Sequence, residues 1–308
     1  MTWQKMGNIF DPRTHTEWAG SHAQVPAVLV KKDVIRIYYA DRFKDNRSFT
    51  TFLDVDRKDP SKVVYFHKKP LLDFGKPGTF DDNGIMPATV VENGKQVYLY
   101  YSGWNQGISV PYRNSTGLAI SEDGGQSFTR AFEGPVMERN AREPYLAVTP
   151  WVIKEDKLWR AWYISGLRWE KVDGKFEPVY VIKYAQSEDG IEWERPNITS
   201  VPQKHEMEAF SHPCVVKRGE KYCMWYCFRD SKDYRDGTGS YRMGYAESKD
   251  GIHFTRADNK AGIDVSKEGW DSTMICYPTI VEVDGRLLMF YNGNGFGRTG
   301  IGYAVWKE

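Results

Sequence analysis

A single all-β domain over residues 1–308, a β-propeller of five blades with four antiparallel strands each, is the fold this sequence predicts. Three observations predict it. A proline opening a short apolar run recurs at Pro26, Pro87, Pro150, Pro213 and Pro278, spaced by 61, 63, 63 and 65 residues. A second run rich in Tyr, Trp and Val follows each proline, over 34–42, 97–104, 158–166, 222–228 and 287–293. Both ends look like parts of one unit: the chain stops after a third-strand pattern at 300–306, and Met1 to Pro12 carries Trp3-Gln-Lys5, which matches Phe128-Thr-Arg130 and Phe254-Thr-Arg256. The N-terminal segment is therefore expected to complete the last blade and remove two open edges.

Each element has its local reason. The runs alternate in period 2, favour β-branched and aromatic residues, and are broken by Gly, Asp and Asn, so they read as strands rather than helices. Third strands end in Ser-x-Asp-Gly turns at 121–124, 187–190 and 248–251, each followed by an aromatic and a basic residue. Asp123, Asp189 and Asp250 repeat because the hairpin needs them, and no chemistry is assigned to them. The insertions 105–116 and 169–178 are expected to shape one side of a cleft or to form a subunit contact.

Composition bounds the function. Formal charge is +1 with 15 % aromatic residues, which lacks the basic field that nucleic-acid binding needs. No apolar stretch of about 18 residues and no signal-like segment stands at either end, so no membrane span and a cytoplasmic location are expected. Cys214, Cys223, Cys227 and Cys276 lie inside strand patterns without Cys-x-x-Cys spacing, which reads as buried thiols rather than a metal site. The oligomeric state is open.

Residues that could carry chemistry cluster where each first strand begins. Glu17, His22 and Gln24 precede Pro26; Asp81 and Asp82 precede Pro87; Arg142 and Glu143 precede Pro150; Glu206, Glu208 and His212 precede Pro213; Asp271 and Tyr277 precede Pro278. In a propeller these positions face one end of a central channel. The second strands end on the same face with Arg42, Trp104, Arg168, Arg229, Asn292 and Asn294. Acids interleaved with arginines, amides and aromatic faces suit a sugar, whose hydroxyls take paired polar partners and whose ring stacks on an indole or phenol. Carboxylates crowded in one cleft also push their pKa values apart, the equipment of glycoside hydrolysis.

The blade pattern, with its Ser-x-Asp-Gly turns and its Tyr-Tyr-Ser and Tyr-Asn-Gly second strands, resembles the five-bladed β-propeller glycosidases of glycoside hydrolase families 43, 32, 62, 68 and 130 over essentially the whole chain. The resemblance implies an Asp base or nucleophile on the first blade, a supporting Asp on the third and a general-acid Glu on a later one. Arg142-Glu143-Pro144 is similar to the Arg-Asp-Pro motif of family 32, which implies Glu143 as the modulating carboxylate, and Glu208 is the matching general acid. The first blade departs from the pattern: residues 21–26 hold no Asp, so Glu17, Asp82 or Asp271 would have to serve. The expected catalytic set is thus Asp82, Glu143, Glu208 and Asp271, converging at the channel mouth without an organic cofactor. A calcium ion in the channel near His22 or His212 would be compatible with the resemblance, and no metal is required. The partner is a small sugar, oligosaccharide or glycoconjugate. A glycosidase is the first reading. The alternatives are a glycosyl-transferring enzyme, a phosphorylase with phosphate held by Arg42, Arg168 and Arg229, or a carbohydrate-binding propeller without chemistry.

Overall fold

A computed structural model describes residues 2–235 and 237–307; Met1 of the closing segment, and the last residue of the expected domain, lie outside the described residues. The chain is 54 % strand and 3 % helical, so no helical layer covers the sheets. The first meander runs β2 (Gln24–Val30), β3 (Val34–Arg42), β4 (Ser48–Asp56) and β5 (Val63–His67), each antiparallel to the one before. The second runs β6 (Gly84–Asn93), β7 (Gln96–Gln106), β8 (Tyr112–Ser121) and β9 (Thr129–Arg130). In the third, β10 (Ala147–Glu155), β11 (Leu158–Val172) and β12 (Lys175–Ser187) pair in order. There the expected outer strand is reduced to isolated bridges from Lys183 to Thr199 and from Gln186 to Glu194.

The fourth meander is β13 (Glu208–Arg218), β14 (Lys221–Asp230), β15 (Arg242–Ser248) and β16 (Thr255–Arg256). The last, β17 (Cys276–Val283), β18 (Arg286–Asn292) and β19 (Ile301–Lys307), is completed from the other end of the chain by β1 (Thr2–Phe10). Trp3 lies opposite Trp306 and Lys5 opposite Ala304, the N-terminal pairing that the Trp3-Gln-Lys5 pattern predicts.

The core lies between meanders. Tyr38 and Ile85 belong to one apolar cluster, Tyr100 and Trp159 to the next, Trp162 and Met224 to a third, and Trp225 and Met289 to a fourth. Phe290 and Ile37 then join the last meander to the first. The sheet is therefore curled until its two ends pack together, with apolar side chains alternating onto both faces because both are covered.

Two aromatic positions on each second strand tie this together. The first points onward: the Tyr38 hydroxyl donates to the Gly125 carbonyl at 2.7 Å, Tyr100 to Gly190 at 2.6 Å, and the Trp162 indole to Gly251 at 2.8 Å. Each reaches the Ser-x-Asp-Gly turn of the following meander, where Ser121, Ser187 and Ser248 donate to Asp123, Asp189 and Asp250, and those carboxylates accept backbone N–H groups. The second aromatic position, one residue on, is used differently.

Candidate functional site

Tyr101, Tyr163 and Tyr291, at that second position, each donate to an acid of their own meander. Tyr101 reaches Asp81 at 3.0 Å, Tyr163 reaches Glu143 at 2.8 Å and Tyr291 reaches Asp271 at 2.9 Å. A cation from the outer strand, or in the third meander from the segment that takes its place, closes each group: Arg130 Nε to Asp81 at 2.8 Å, Arg195 Nη1 to Glu143 at 3.1 Å, and Lys5 Nζ to Asp271 at 2.7 Å. In the fourth meander Arg256 grips Glu208 with two bonds of 2.6 and 2.7 Å, while Tyr226 turns to Asp258. Asp81, Glu143, Glu208 and Asp271 are each at most 1 % exposed. They form a repeated buried ion pair that locks the start of a first strand to an outer strand.

The first meander lacks this pair for a physical reason. Phe66 stands opposite Leu53 where Arg130 stands opposite Ala119, and it packs with Phe10, His15 and Trp18. An aromatic cluster replaces the charges, and the buried Tyr39 hydroxyl is left without a partner.

The expected convergence of Asp82, Glu143, Glu208 and Asp271 is therefore not what the structure displays. Where the meanders meet, a cavity of about 360 Å³ opens, and none of the four lines it. Asp82 instead accepts from the Gly78 N–H at 2.9 Å. Among the other expected binding residues, His22, Gln24, Arg42, Trp104 and Tyr277 do line the cavity. Asp81 is held in its ion pair, and Glu17 and Arg142 are exposed away from the cavity. Asn292 donates to the Ala23 and Gly300 carbonyls and accepts from the Val25 N–H, stitching the last meander to the first. Asn294 caps the backbone at Thr273 and Met274. Arg168 pairs with Glu170 and the Glu206 carbonyl, so Arg42, Arg168 and Arg229 do not form one pocket.

Proline explains why the cavity receives the side chains it does. Every first strand slips register around its proline. Proline cannot donate to the ladder, so the strand bulges there. Val25, Thr149, His212 and Tyr277, each just before the proline, take positive φ of 54°, 53°, 46° and 57°. For branched residues such as Val25 and Thr149 this costs about 1–2 kcal/mol, a strain typical of built sites. The bulge turns Val25, Thr149 and Tyr277 to the cavity wall. His212 stays buried, its Nε2 3.3 Å from Thr279 Oγ1 and its Nδ1 unpartnered.

The rest of the aromatic wall was foreseen only in part. Tyr112 and Asn114 come from the insertion 105–116, which was expected to shape the cleft; Tyr180 stands in a third strand and Tyr241 immediately before one, neither singled out as a site residue, and Tyr234, Arg235 and Phe296 lie outside the repeat. Behind them Arg229, 2 % exposed, stacks on Tyr234 at 3.7 Å and bonds to the Pro178 carbonyl, Ser231 Oγ and the Tyr180 and Tyr241 hydroxyls. Glu177 takes Arg235 and the Tyr234 hydroxyl. No carboxylate lines the cavity among the described residues.

The electrostatics follow. Burial, then Arg42 and Arg298, push His22 down to about 4, so it is neutral at pH 7. Burial lowers the Arg42 guanidinium and, unopposed, brings His212 to about 3. Among the described residues no group of three or more His, Cys, Asp or Glu side chains could hold a metal ion. The calcium allowed by the resemblance fits poorly, because His212 offers one nitrogen beside hydroxyls where that cation takes several oxygens. The four cysteines are free and buried. No helix among the described residues is long and apolar enough to cross a membrane.

No family model matches the chain. It is 38 % identical over 310 residues to "Uncharacterized protein MT1551" and to "Uncharacterized protein Rv1502", both of Mycobacterium tuberculosis, covering all of this chain and all of each relative. The chain belongs to that family. Solved structures place the Rv1502 family in a wider fold. One titled "Glycoside hydrolase" superposes with TM-score 0.77 at 17 % identity, covering all of this chain and 92 % of its own. A thermostable family-43 glycoside hydrolase gives 0.69 at 15 %, covering 94 % and 92 %. The α-L-arabinofuranosidase PaAbf62A of Podospora anserina, in complex with cellotriose, gives 0.69 at 13 %, covering 100 % and 97 %. The chain thus has the β-propeller fold of the glycosidases that its turns and second strands resemble.

Proposed function

We propose that this Rv1502-family chain is a carbohydrate-active enzyme, a single domain of five blades that takes its sugar into the axial cavity. The observation that carries the reading is the wall of that cavity. Trp104, Tyr112, Tyr180, Tyr241 and Tyr277 supply aromatic faces, and Gln24, Arg42 and Asn114 supply hydrogen bonds. A volume of about 360 Å³ suits one or two sugar rings. The fold shared with glycosidases supports the same class of ligand.

In this reading Asp82, Glu143, Glu208 and Asp271 belong to the scaffold, and the chemistry is done by groups at the cavity wall. One observation favours the second reading, a sugar-binding propeller without chemistry: the absence of a carboxylate at that wall among the described residues. Aryl glycosides and short oligosaccharides, offered with and without phosphate to wild type, Trp104→Ala and Glu208→Gln, separate the two. Turnover abolished by Trp104→Ala supports the enzyme, and a phosphate requirement selects the phosphorylase. Sugar binding without turnover selects the binding propeller. Turnover that survives Trp104→Ala and disappears in a folded Glu208→Gln protein overturns the cavity as the site.

A further inference from the structure

Among the described residues, arginines whose charged heads are largely enclosed are mostly paired with carboxylates. Arg36 holds Asp54 with two bonds of 2.8 Å, Arg130 holds Asp81, Arg195 holds Glu143, and Arg256 holds Glu208. The rule has a plain cause, since a guanidinium removed from water without a counter-charge is costly. Among the described residues two enclosed arginines depart from it: half-buried Arg42 in the wall of the axial cavity, and Arg229 behind that wall.

Arg42 closes β3 with its head in the cavity wall. Among the described residues its one side-chain hydrogen bond runs from Nε to Gln24 Oε1 at 2.8 Å, a neutral acceptor, and no carboxylate there is paired with it. The terminal nitrogens, which make the flat two-pronged donor edge of an arginine, have no partner among the described residues. Burial lowers its pKa, and only the phenols of Tyr277 and Tyr112 act the other way. Arg229 is fully enclosed behind Tyr180 and Tyr241 and is satisfied by carbonyl and hydroxyl oxygens alone. Its charge is not neutralised, so it adds to the field at the same wall. Arg235 is the third cation there, and Glu177 matches it. The cavity thus carries more positive charge than the described carboxylates compensate.

Resting on the reading that a sugar occupies this cavity, we propose that the sugar is acidic: a unit bearing a carboxylate or a phosphate, whose acid group is received by the free edge of Arg42. A planar carboxylate or a phosphate offers the two parallel acceptors that the edge requires. Gln24 fixes Arg42 from its Nε side, which leaves the edge directed away from that contact. Tyr112, Tyr277 and Trp104 line the same cavity and give the ring of the sugar its stacking faces. A neutral sugar would leave the guanidinium unpaired as its hydration is displaced.

The experiment is calorimetric titration of a panel of neutral hexoses and pentoses, the matching uronates, the matching sugar 1-phosphates and inorganic phosphate alone. The proteins are wild type, Arg42→Gln and Arg42→Lys, with thermal unfolding confirming that each variant is folded. At least one acidic sugar is expected to bind tenfold or more tightly than its neutral parent. Uronate against sugar phosphate tells which acid is read. Arg42→Gln should abolish that preference, a loss of about tenfold to a hundredfold for a charge-assisted pair. Arg42→Lys should keep part of the preference. Equal affinity for neutral and acidic sugars overturns the inference and leaves the sugar site standing. Inorganic phosphate binding as tightly as every sugar phosphate also overturns it, because the sugar would then contribute nothing. Absence of binding by any sugar removes both the inference and the sugar site beneath it.

Discussion

Glu208 and Arg256 face each other through two short bonds in a space almost closed to water, with Lys204 N–H on the same carboxylate. Neutralising one partner strands the other, which in buried pairs costs about 3–5 kcal/mol. Asp258 also bonds Arg256, at 2.7 Å, and offsets part of that loss. Glu208→Gln is therefore expected to lower unfolding free energy by about 3 kcal/mol, and the double variant with Arg256→Met by less than the sum of the two. Urea denaturation measures both; unchanged stability would return Glu208 to the list of candidate proton donors. His212 makes a prediction in pH. Its folded pKa is about 3 against 6.5 for an ordinary histidine, so between those values the unfolded chain binds the proton first. Stability is whole above pH 6.5 and falls as pH drops toward 3. Replacing His212 with Gln should flatten that acid limb of a urea midpoint measured against pH. These residues show how far the sequence was legible. The acids before each first strand and the basic residue after each Ser-x-Asp-Gly turn were both visible as repeats. What was not visible is that they meet, 48 residues apart for Glu208 and Arg256 and 52 for Glu143 and Arg195. A carboxylate in a cleft and one in an ion pair have the same spacing in a sequence; only the partner differs.

At the scale of the element, the turns were legible because their chemistry is local. Asp189 Oδ1 accepts the backbone N–H groups of Ile191 and Glu192 at 2.8 and 2.9 Å and the Ser187 hydroxyl at 2.9 Å, all within four residues. Burial is the largest single influence on its carboxyl and pushes it up, but those bonds together outweigh it and hold the group below the usual range. Asp189→Ala should cost about 1–2 kcal/mol and leave sugar binding unaltered, a pair of results that calorimetry and thermal unfolding check together. A lowered carboxylate stabilises above its unfolded pKa, so the deficit should shrink as pH falls below about 4. The bulges were half legible. The prolines marked the start of every first strand, but the left-handed residue before four of them comes from the register slip, which depends on the neighbouring strand. The third meander departs for a similar reason: Trp193 and Arg195 repeat the outer-strand pattern, yet the chain there makes bridges at Gln186 and Lys183 in place of a strand.

The whole molecule depends on how the curled sheet is fastened. The first and last meanders share an apolar cluster, and Asn292 bonds across to Ala23 and Val25. Arg57 of the first meander reaches Asp284 of the last at 2.7 Å, an exposed pair worth little. The stronger fastening is β1. It covers the edge of β19 along Thr2–Phe10, brings Lys5 to Asp271 and Ser266, and puts Trp3 within 4.9 Å of Trp306 and 5.7 Å of Trp225. This closure was readable because Trp3-Gln-Lys5 repeats the outer-strand signature at the far end of the chain, whereas the cavity wall was only partly readable: Tyr180 and Tyr241 each stand seven residues before the serine of a Ser-x-Asp-Gly turn, but Tyr234 lies in a loop outside the repeat. Removal of residues 2–10 should therefore act globally. It bares the backbone donors and acceptors of β19, leaves buried Asp271 with the Tyr291 hydroxyl as its remaining side-chain partner among the described residues, and uncovers Trp225. An exposed edge beside apolar surface invites pairing with another chain, so the shortened protein is expected to elute as oligomers or to lose its cooperative unfolding transition. Lys5→Met, which keeps the strand and removes one charge, should stay in the same oligomeric state as the intact chain and lose about 3 kcal/mol. Light scattering after size exclusion, with denaturation of both proteins, reads the difference. If the shortened protein unfolds in one sharp transition at the stability of the intact chain and in its oligomeric state, the ring is held by the apolar seam between the first and last meanders, and β1 is an accessory.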